Sequence, residues 1–481
     1  MSDYGITGFG AYVPRLRLAR SAIADAHGWM NPSLKAAGKG ERAFCSWDED
    51  AITMAVEAAR DCLSGRARHA ISSLRLASTT FPYADLSSGV IAAAALGLGP
   101  NLEVANCAGS QRAATTALID ALRGGLGEAL VIASERPVTA PGSVAELQSG
   151  AGAAALSLGS EGVIARLVGS ASTAAYFVDR FRASDQPSDY AWEERWIRDE
   201  GYAKLVPQAV AQALASTGLR IGDIAHFILP SPIRNIAATI ARQIGYGGAI
   251  GGAFEADVGY CGTAHGLLAL AEVLARAQAG ERILLVGFGQ GVDALIFEMT
   301  DAISSTTPSR GVRGAVADRL PTGDYLRMLS FYGKIELDWG MRGEKTGKAA
   351  LTEQYRSAGQ LDSFTGGRCG RCSTLQFPVL AYCVNPECSA PASQFTPASL
   401  ADEPARIFTV TSDWLSYHPA PPLAVGFVQF DDGARLMMEI VDAPPERIVE
   451  GEPVKMVFRI KERDKMRGFN RYFWKATPIS V

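Results

Sequence analysis

An internal repeat constrains this chain more than any other feature. Residues 103–122, continued by 127–134, run parallel to residues 255–274, continued by 280–287. Ala117, Leu118, Asp120 and Leu122 match Ala269, Leu270, Glu272 and Leu274 at one offset, and each helical pattern leads through Gly-Glu into an apolar run. Glycine- and alanine-rich segments alternate with short β-branched runs from Ile6 to about Glu298, the pattern of strands interleaved with helices in a layered α/β domain. Two related halves are therefore expected, over 1–165 and 166–300. A chance match between alanine-rich helices is the competing explanation, and the shared order of strand, helix and strand weighs against it.

The remaining bulk properties narrow the function. A chain of 481 residues exceeds what one core organises, and 48% apolar residues suffice to fill several. With 46 basic against 50 acidic residues there is no field to gather a polyanion, so nucleic acid is not an expected partner. The start, Met1-Ser2-Asp3-Tyr4-Gly5, carries no signal-peptide pattern, and runs such as Ile91 to Leu98 are too short for a bilayer. A soluble, cytoplasmic protein without membrane contact is expected. In a reducing compartment its eight cysteines point to metal binding or catalysis in place of disulfides.

Leu102 to Ala105 reads as a buried strand, and Ser110-Gln111-Arg112 opens a helix running to about Leu122. Cys107 precedes that helix, where unpaired N–H groups and the dipole lower a thiol's pKa and can hold an oxyanion. Gly109 is expected to let backbone approach a substrate carbonyl. Position alone leaves a buried structural cysteine equally open. In the second half, Gly259 stands where Cys107 stands in the first, an asymmetry that suggests one active site.

Gly8-Phe-Gly-Ala-Tyr-Val-Pro14, Asp48-Glu-Asp-Ala-Ile-Thr-Met-Ala-Val-Glu-Ala-Ala59 and Asn106-Cys-Ala-Gly109 resemble 3-hydroxy-3-methylglutaryl-CoA synthases and related ketoacyl synthases over about residues 4 to 299. The resemblance implies the duplicated thiolase fold, layered α/β/α/β/α, in a homodimer. It also implies that Cys107 takes an acyl group from a coenzyme A thioester and passes it to a second substrate, splitting the transfer into two steps. Two departures stand out. The family's early glutamate falls at Thr79, and its histidine in a His-x-Pro context falls at Pro230. Authentic hydroxymethylglutaryl-CoA synthesis is therefore not expected. Among five histidines, His265 in Gly259-Tyr-Cys-Gly-Thr-Ala-His265 is the candidate acid or base, at an expected strand-to-helix junction; a packed core histidine is the alternative. Cys261 is a weaker site candidate, and His226 is expected to be structural. Gly287-Phe-Gly-Gln-Gly291 resembles the glycine turn lining thiolase-fold sites.

Ser304-Ser-Thr-Thr-Pro-Ser-Arg-Gly311 has linker composition and sets an expected boundary near 300, with a linker and helical segment over 301–364. Cys369-Gly-Arg-Cys372 and Cys383-Val-Asn-Pro-Glu-Cys388 form two turns separated by ten residues, the spacing of a four-thiolate structural zinc site in a ribbon over 365–392. Five short apolar runs follow within 393–481: Ile407 to Thr411, Leu423 to Phe430, Arg435 to Val441, Val454 to Ile460 and Tyr472 to Ala476. Asp431-Asp-Gly433 is a hairpin turn among them. They suit an OB-type β-barrel. Residues 401–481 carry 11 basic and 12 acidic residues, so the barrel is not expected to bind nucleic acid. Ribbon and barrel together resemble the small OB-fold proteins that accompany archaeal synthases and some thiolases. The expected function is acyl transfer with carbon–carbon bond formation at a coenzyme A thioester. Thiolytic cleavage and a non-catalytic acyl-CoA-binding scaffold are the alternatives.

Overall fold

The computed structural model describes residues 4–125, 127–305, 310–344 and 347–479. The chain divides into two compact units, one of residues up to 46, 50–90 and 98–334, the other of 47–49, 91–97 and 335 onward.

The first unit is built on a ten-stranded sheet. Its strands are β1 (Gly5–Tyr12), β2 (Ile71–Ala77), β3 (Glu103–Cys107), β4 (Glu128–Glu135), β5 (Gly152–Gly159), β6 (Ala165–Ala174), β7 (His226–Ile228), β8 (Ala249–Ile250), β9 (Arg282–Phe288) and β10 (Gly291–Met299). Their spatial order is β8-β7-β9-β10-β6-β1-β5-β4-β2-β3. Read outward from the β6–β1 seam, each half repeats one scheme: two antiparallel pairings, then two parallel ones. The duplication seen in the sequence is thus a duplication of topology.

Helix α1 (Ala51–Cys62) starts at a capping box between Asp50 and Thr53, which satisfies orphan N–H groups of its first turn. It packs on β1 and β5. Helices α2 (Ala113–Gly124) and α4 (Gly262–Leu274) are the repeated pair, and they pack on each other. Between them in sequence lies α3 (Ala203–Thr217). The strands of the second half are apolar on both faces, as strands sandwiched between helices must be. Ile283, Leu285, Leu295 and Phe297 join the core around α2 and α4, while Leu284, Val286, Ala294 and Ile296 join the core around α3.

The first unit runs past the expected boundary near 300, through residue 334. Leu320–Thr322 pairs in parallel with Leu16–Ala19, and Tyr325–Phe331 forms a further helix. Of the linker-like run, 306–309 lie outside the described residues.

In the second unit, Thr365–Cys369, Leu375–Gln376 and Phe395–Ser399 form the ribbon's three-stranded sheet, the third strand lying beyond the expected end at 392. The barrel strands are β11 (Ala405–Asp413), β12 (Leu423–Phe430), β13 (Arg435–Glu439), β14 (Pro453–Asp464) and β15 (Phe469–Pro478), in the order β13-β12-β11-β14-β15. A bridge from Ile440 to Ala476 links the two ends. Val454, Met456, Phe458 and Ile460 recur at every second position and are buried, and Val457 and Arg459 between them are buried as well. Trp474 fills the centre, and its indole N–H donates to the Asp362 carbonyl at 2.7 Å. Residues 47–49 belong to this unit: Lys475 Nζ lies 2.9 Å from Asp48 and 2.8 Å from Glu439, with Trp47 under the ammonium.

Candidate active site and metal centre

Cys107 is the last residue of β3, six positions before the first residue of α2. Register places Ala133, Ala77 and Cys107 abreast on the parallel strands β4, β2 and β3. Their carboxyl ends therefore open together, where ligands bind in open α/β sheets. This corrects the expected electrostatics. Dipole effects fade beyond a helix's first turn, and in sequence Cys107 lies outside the first turn of α2. Burial pushes it above the ordinary range, the Arg75 guanidinium pulls it part of the way back, and Asp120 adds to the rise. Gly109 has φ +85°, a turn geometry that favours glycine, and the space beside its Cα is open.

The start of α2 meets the glycine turn between β9 and β10. Ser110 Oγ donates to the Gly289 carbonyl at 2.7 Å, and Arg112 Nε donates to the same oxygen at 3.0 Å. A Cβ on Gly289 would lie 2.8 Å from Ser110 Oγ, so this approach requires glycine. Arg112 Nη1 reaches the fully buried Asp293 at 2.7 Å, and Asp293 also accepts from Thr115 at 2.9 Å and Thr116 at 2.7 Å. The turn at 287–291 is thereby clamped to the helix.

His265 is in the first turn of α4 and 1% exposed. The residues before it, Glu255–Val258, form a helical turn and not the expected strand. Its Nδ1 accepts the Cys261 N–H at 3.1 Å, its Nε2 lies 3.5 Å from Glu255, and its ring stacks on Phe254. Those partners come from its own segment. Cys261 is fully buried, and burial pushes its thiol far up, unsuited to nucleophilic work. His226 is a buried strand residue paired with Glu281 at 3.0 Å, the structural role expected of it.

Thr79 and Pro230, the positions expected for the family's glutamate and histidine, carry no titratable group. Beside Thr79, however, sits a carboxylate that sequence reading passed over. Glu135 ends β4, is 1% exposed, and accepts the Thr79 hydroxyl at 2.7 Å and the Thr79 N–H at 3.1 Å. Gln111 Nε2 donates in turn to Thr79 Oγ1 at 3.3 Å. A charged residue closing an apolar run ordinarily reads as a strand end in solvent. Only the parallel register of β4 against β2 brings Glu135 to residue 79.

In the second unit the four ribbon cysteines converge, with all ligand atoms within 4.8 Å of one another. Cys369 and Cys388 sulfurs are 3.7 Å apart, and those of Cys372 and Cys383 3.6 Å. Four sulfurs at about 2.3 Å from a tetrahedral zinc lie about 3.8 Å apart, close to the two separations just given, so the set suits zinc.

Comparisons with known proteins agree with this architecture. Residues 404–459 match the family model for the C-terminal OB-fold domain of ChsH2. The hydroxymethylglutaryl-CoA synthase of Aeropyrum pernix is 31% identical over 362 residues, covering 73% of this chain and 96% of that protein. That of Pyrococcus furiosus is 30% identical over 324 residues, covering 63% and 88%. Among solved structures, HMG-CoA synthase complexed with CoA superposes with a TM-score of 0.58 at 18% identity, covering 72% of this chain and 94% of that one. A variant of Xanthomonas campestris OleA gives 0.55 at 20%, covering 62% and 97%. The first unit thus has the duplicated thiolase fold.

Proposed function

This chain belongs to the hydroxymethylglutaryl-CoA synthase family, and from that premise we propose that it transfers an acyl group from a coenzyme A thioester to Cys107 and then to a carbon nucleophile. It is an acyltransferase. The proposed reaction is a Claisen-type condensation and not hydroxymethylglutaryl-CoA synthesis, because Thr79 and Pro230 replace the two proton-transferring groups that the resemblance implies. The position of Cys107 at the open carboxyl end of β3, abreast of the ends of β2 and β4, carries the reading. In the first step the thiol sulfur attacks the thioester carbonyl and coenzyme A leaves. In the second, a carbon nucleophile takes the acyl group and the thiol is restored.

The same reading makes the ribbon's metal a structural zinc held by Cys369, Cys372, Cys383 and Cys388, with no open position for substrate. Such a metal replaces a core that a short segment cannot build. It also makes the working enzyme a homodimer.

Ser110 carries a second reading, since its hydroxyl stands nearer the start of α2 and touches the glycine turn. Single variants separate the two. Cys107→Ala is expected to abolish coenzyme A release from an acyl-CoA while the protein stays folded. Unchanged release in that variant, with loss in Ser110→Ala, would move the acyl group to the serine.

A further inference from the structure

We propose that Glu135 is the acid–base carboxylate of this site, taking the α-proton of the second thioester from the end of β4, the strand next to β2, which Thr79 follows. The proposal rests on the acyl-transfer reading above.

Glu135 is two residues beyond Ala133, and Thr79 two beyond Ala77. Both therefore project from the face shared by Ala133, Ala77 and Cys107. Two strand spacings of about 4.8 Å, with an axial offset of two residues at about 3.3 Å each, put the backbones of Glu135 and Cys107 about 12 Å apart across that face. An acylated thiol, an attacking carbon and a carboxylate arm fill such a gap.

Among the described residues no cation lies within 4.0 Å of this carboxylate, although Arg180 attracts it from farther off. Its hydrogen bonds come from Thr79, and the nearby Arg180 is itself held by Asp189 at 2.6 Å. Gly262, at the start of α4 with φ +49°, presents bare backbone to it. A Cβ there would lie 2.7 Å from Glu135 Cγ and 2.9 Å from Gln111 Oε1. That Gln111 oxygen is buried without a hydrogen-bond partner. A buried unpaired acceptor is costly unless something fills it, and a bound molecule's N–H or O–H would do so. Gln111, Thr79 and Glu135 thus form a chain of donors ending on the carboxylate, with a free acceptor at its other end.

The step balances. A carboxylate oxygen of Glu135 takes the proton, and the carbon–hydrogen electron pair forms the new bond to the acyl carbon on Cys107. The carbon–sulfur bond breaks, and the proton passes from Glu135 to the departing thiolate, so both groups return to their starting state.

Exchange of the methyl hydrogens of acetyl-CoA in D2O, followed by mass spectrometry with the full-length protein, tests Glu135 alone. Glu135→Gln should lower exchange about a hundredfold or more, the usual size of lost proton transfer. Glu135→Asp should restore part of it. Acylation of Cys107 in Glu135→Gln, read by intact mass, should stay within about twofold of wild type, as a proton abstractor for the second step alone requires. Wild-type exchange in Glu135→Gln would overturn the proposal, and so would loss of acylation along with exchange, which marks a structural role. Failure of the acyl-Cys107 reading shows separately, as wild-type turnover in Cys107→Ala.

Discussion

Asp293 is the most exposed point of the account to mutation, though it is fully buried in space. Its carboxylate serves Arg112, Thr115 and Thr116 at once. Asp293→Ala strips the acceptor from a partly buried guanidinium and two hydroxyls of α2. Removing one partner of a buried pair costs roughly 3–5 kcal/mol, and here Arg112 would keep only the Gly289 carbonyl and lose its counter-charge. The first unit has about 320 residues, and at roughly 2 cal/mol/K per residue its unfolding entropy is about 0.7 kcal/mol/K. A loss of about 4 kcal/mol then lowers its Tm by about 6 °C. Asp293→Asn keeps an acceptor and should lose about half as much. Differential scanning calorimetry checks both, with the shift confined to the transition of the first unit. A change below about 2 °C for the alanine variant would refute the argument that this carboxylate clamps α2 to the glycine turn.

Three further outcomes are expected. Elemental analysis should find one zinc per chain, and Cys372→Ser should lower it without unfolding the first unit; metal-free folded protein would reject the ribbon assignment. Burial favours the neutral Cys107 thiol, so the thiolate fraction at pH 7 lies below that of a free cysteine. Alkylation at Cys107 should therefore climb about tenfold per pH unit toward pH 9, and a plateau below pH 8 would contradict it. Lys475→Met leaves Asp48 and Glu439 without their cation; a loss of roughly 3–5 kcal/mol should appear as faster hydrogen exchange across 453–478, and unchanged exchange would show the network to be dispensable.

What the sequence makes legible follows from range. The offset between 117–122 and 269–274 is a local pattern, and the structure turns it into two halves with one strand scheme. The barrel strands were readable for the same reason, since an every-second-residue apolar period and the Asp431-Asp-Gly433 turn are both short-range signals. The four cysteines announce themselves by spacing. Glu135 does not, because its meaning comes from lying beside Thr79, 56 positions earlier, through parallel pairing. Nor do Asp48 and Glu49, whose cationic partners Lys475 and Arg459 are more than 400 residues away. The electrostatic expectation for Cys107 failed because α2 begins at Ala113, so the thiol stays on the strand and outside the helix's first turn. His265 looked available by composition, but its ring is packed against Phe254 and bonded within its own segment.

The central claim is a covalent acyl-Cys107 intermediate, and rapid quench with short-chain acyl-CoA thioesters followed by intact-mass and peptide mass spectrometry tests it most directly. A mass increase equal to the acyl group, mapped to the peptide containing Cys107 and absent in Cys107→Ala, is the predicted result. Coenzyme A release with the label on Ser110, or with no covalent label on the wild-type chain at any quench time, would contradict it.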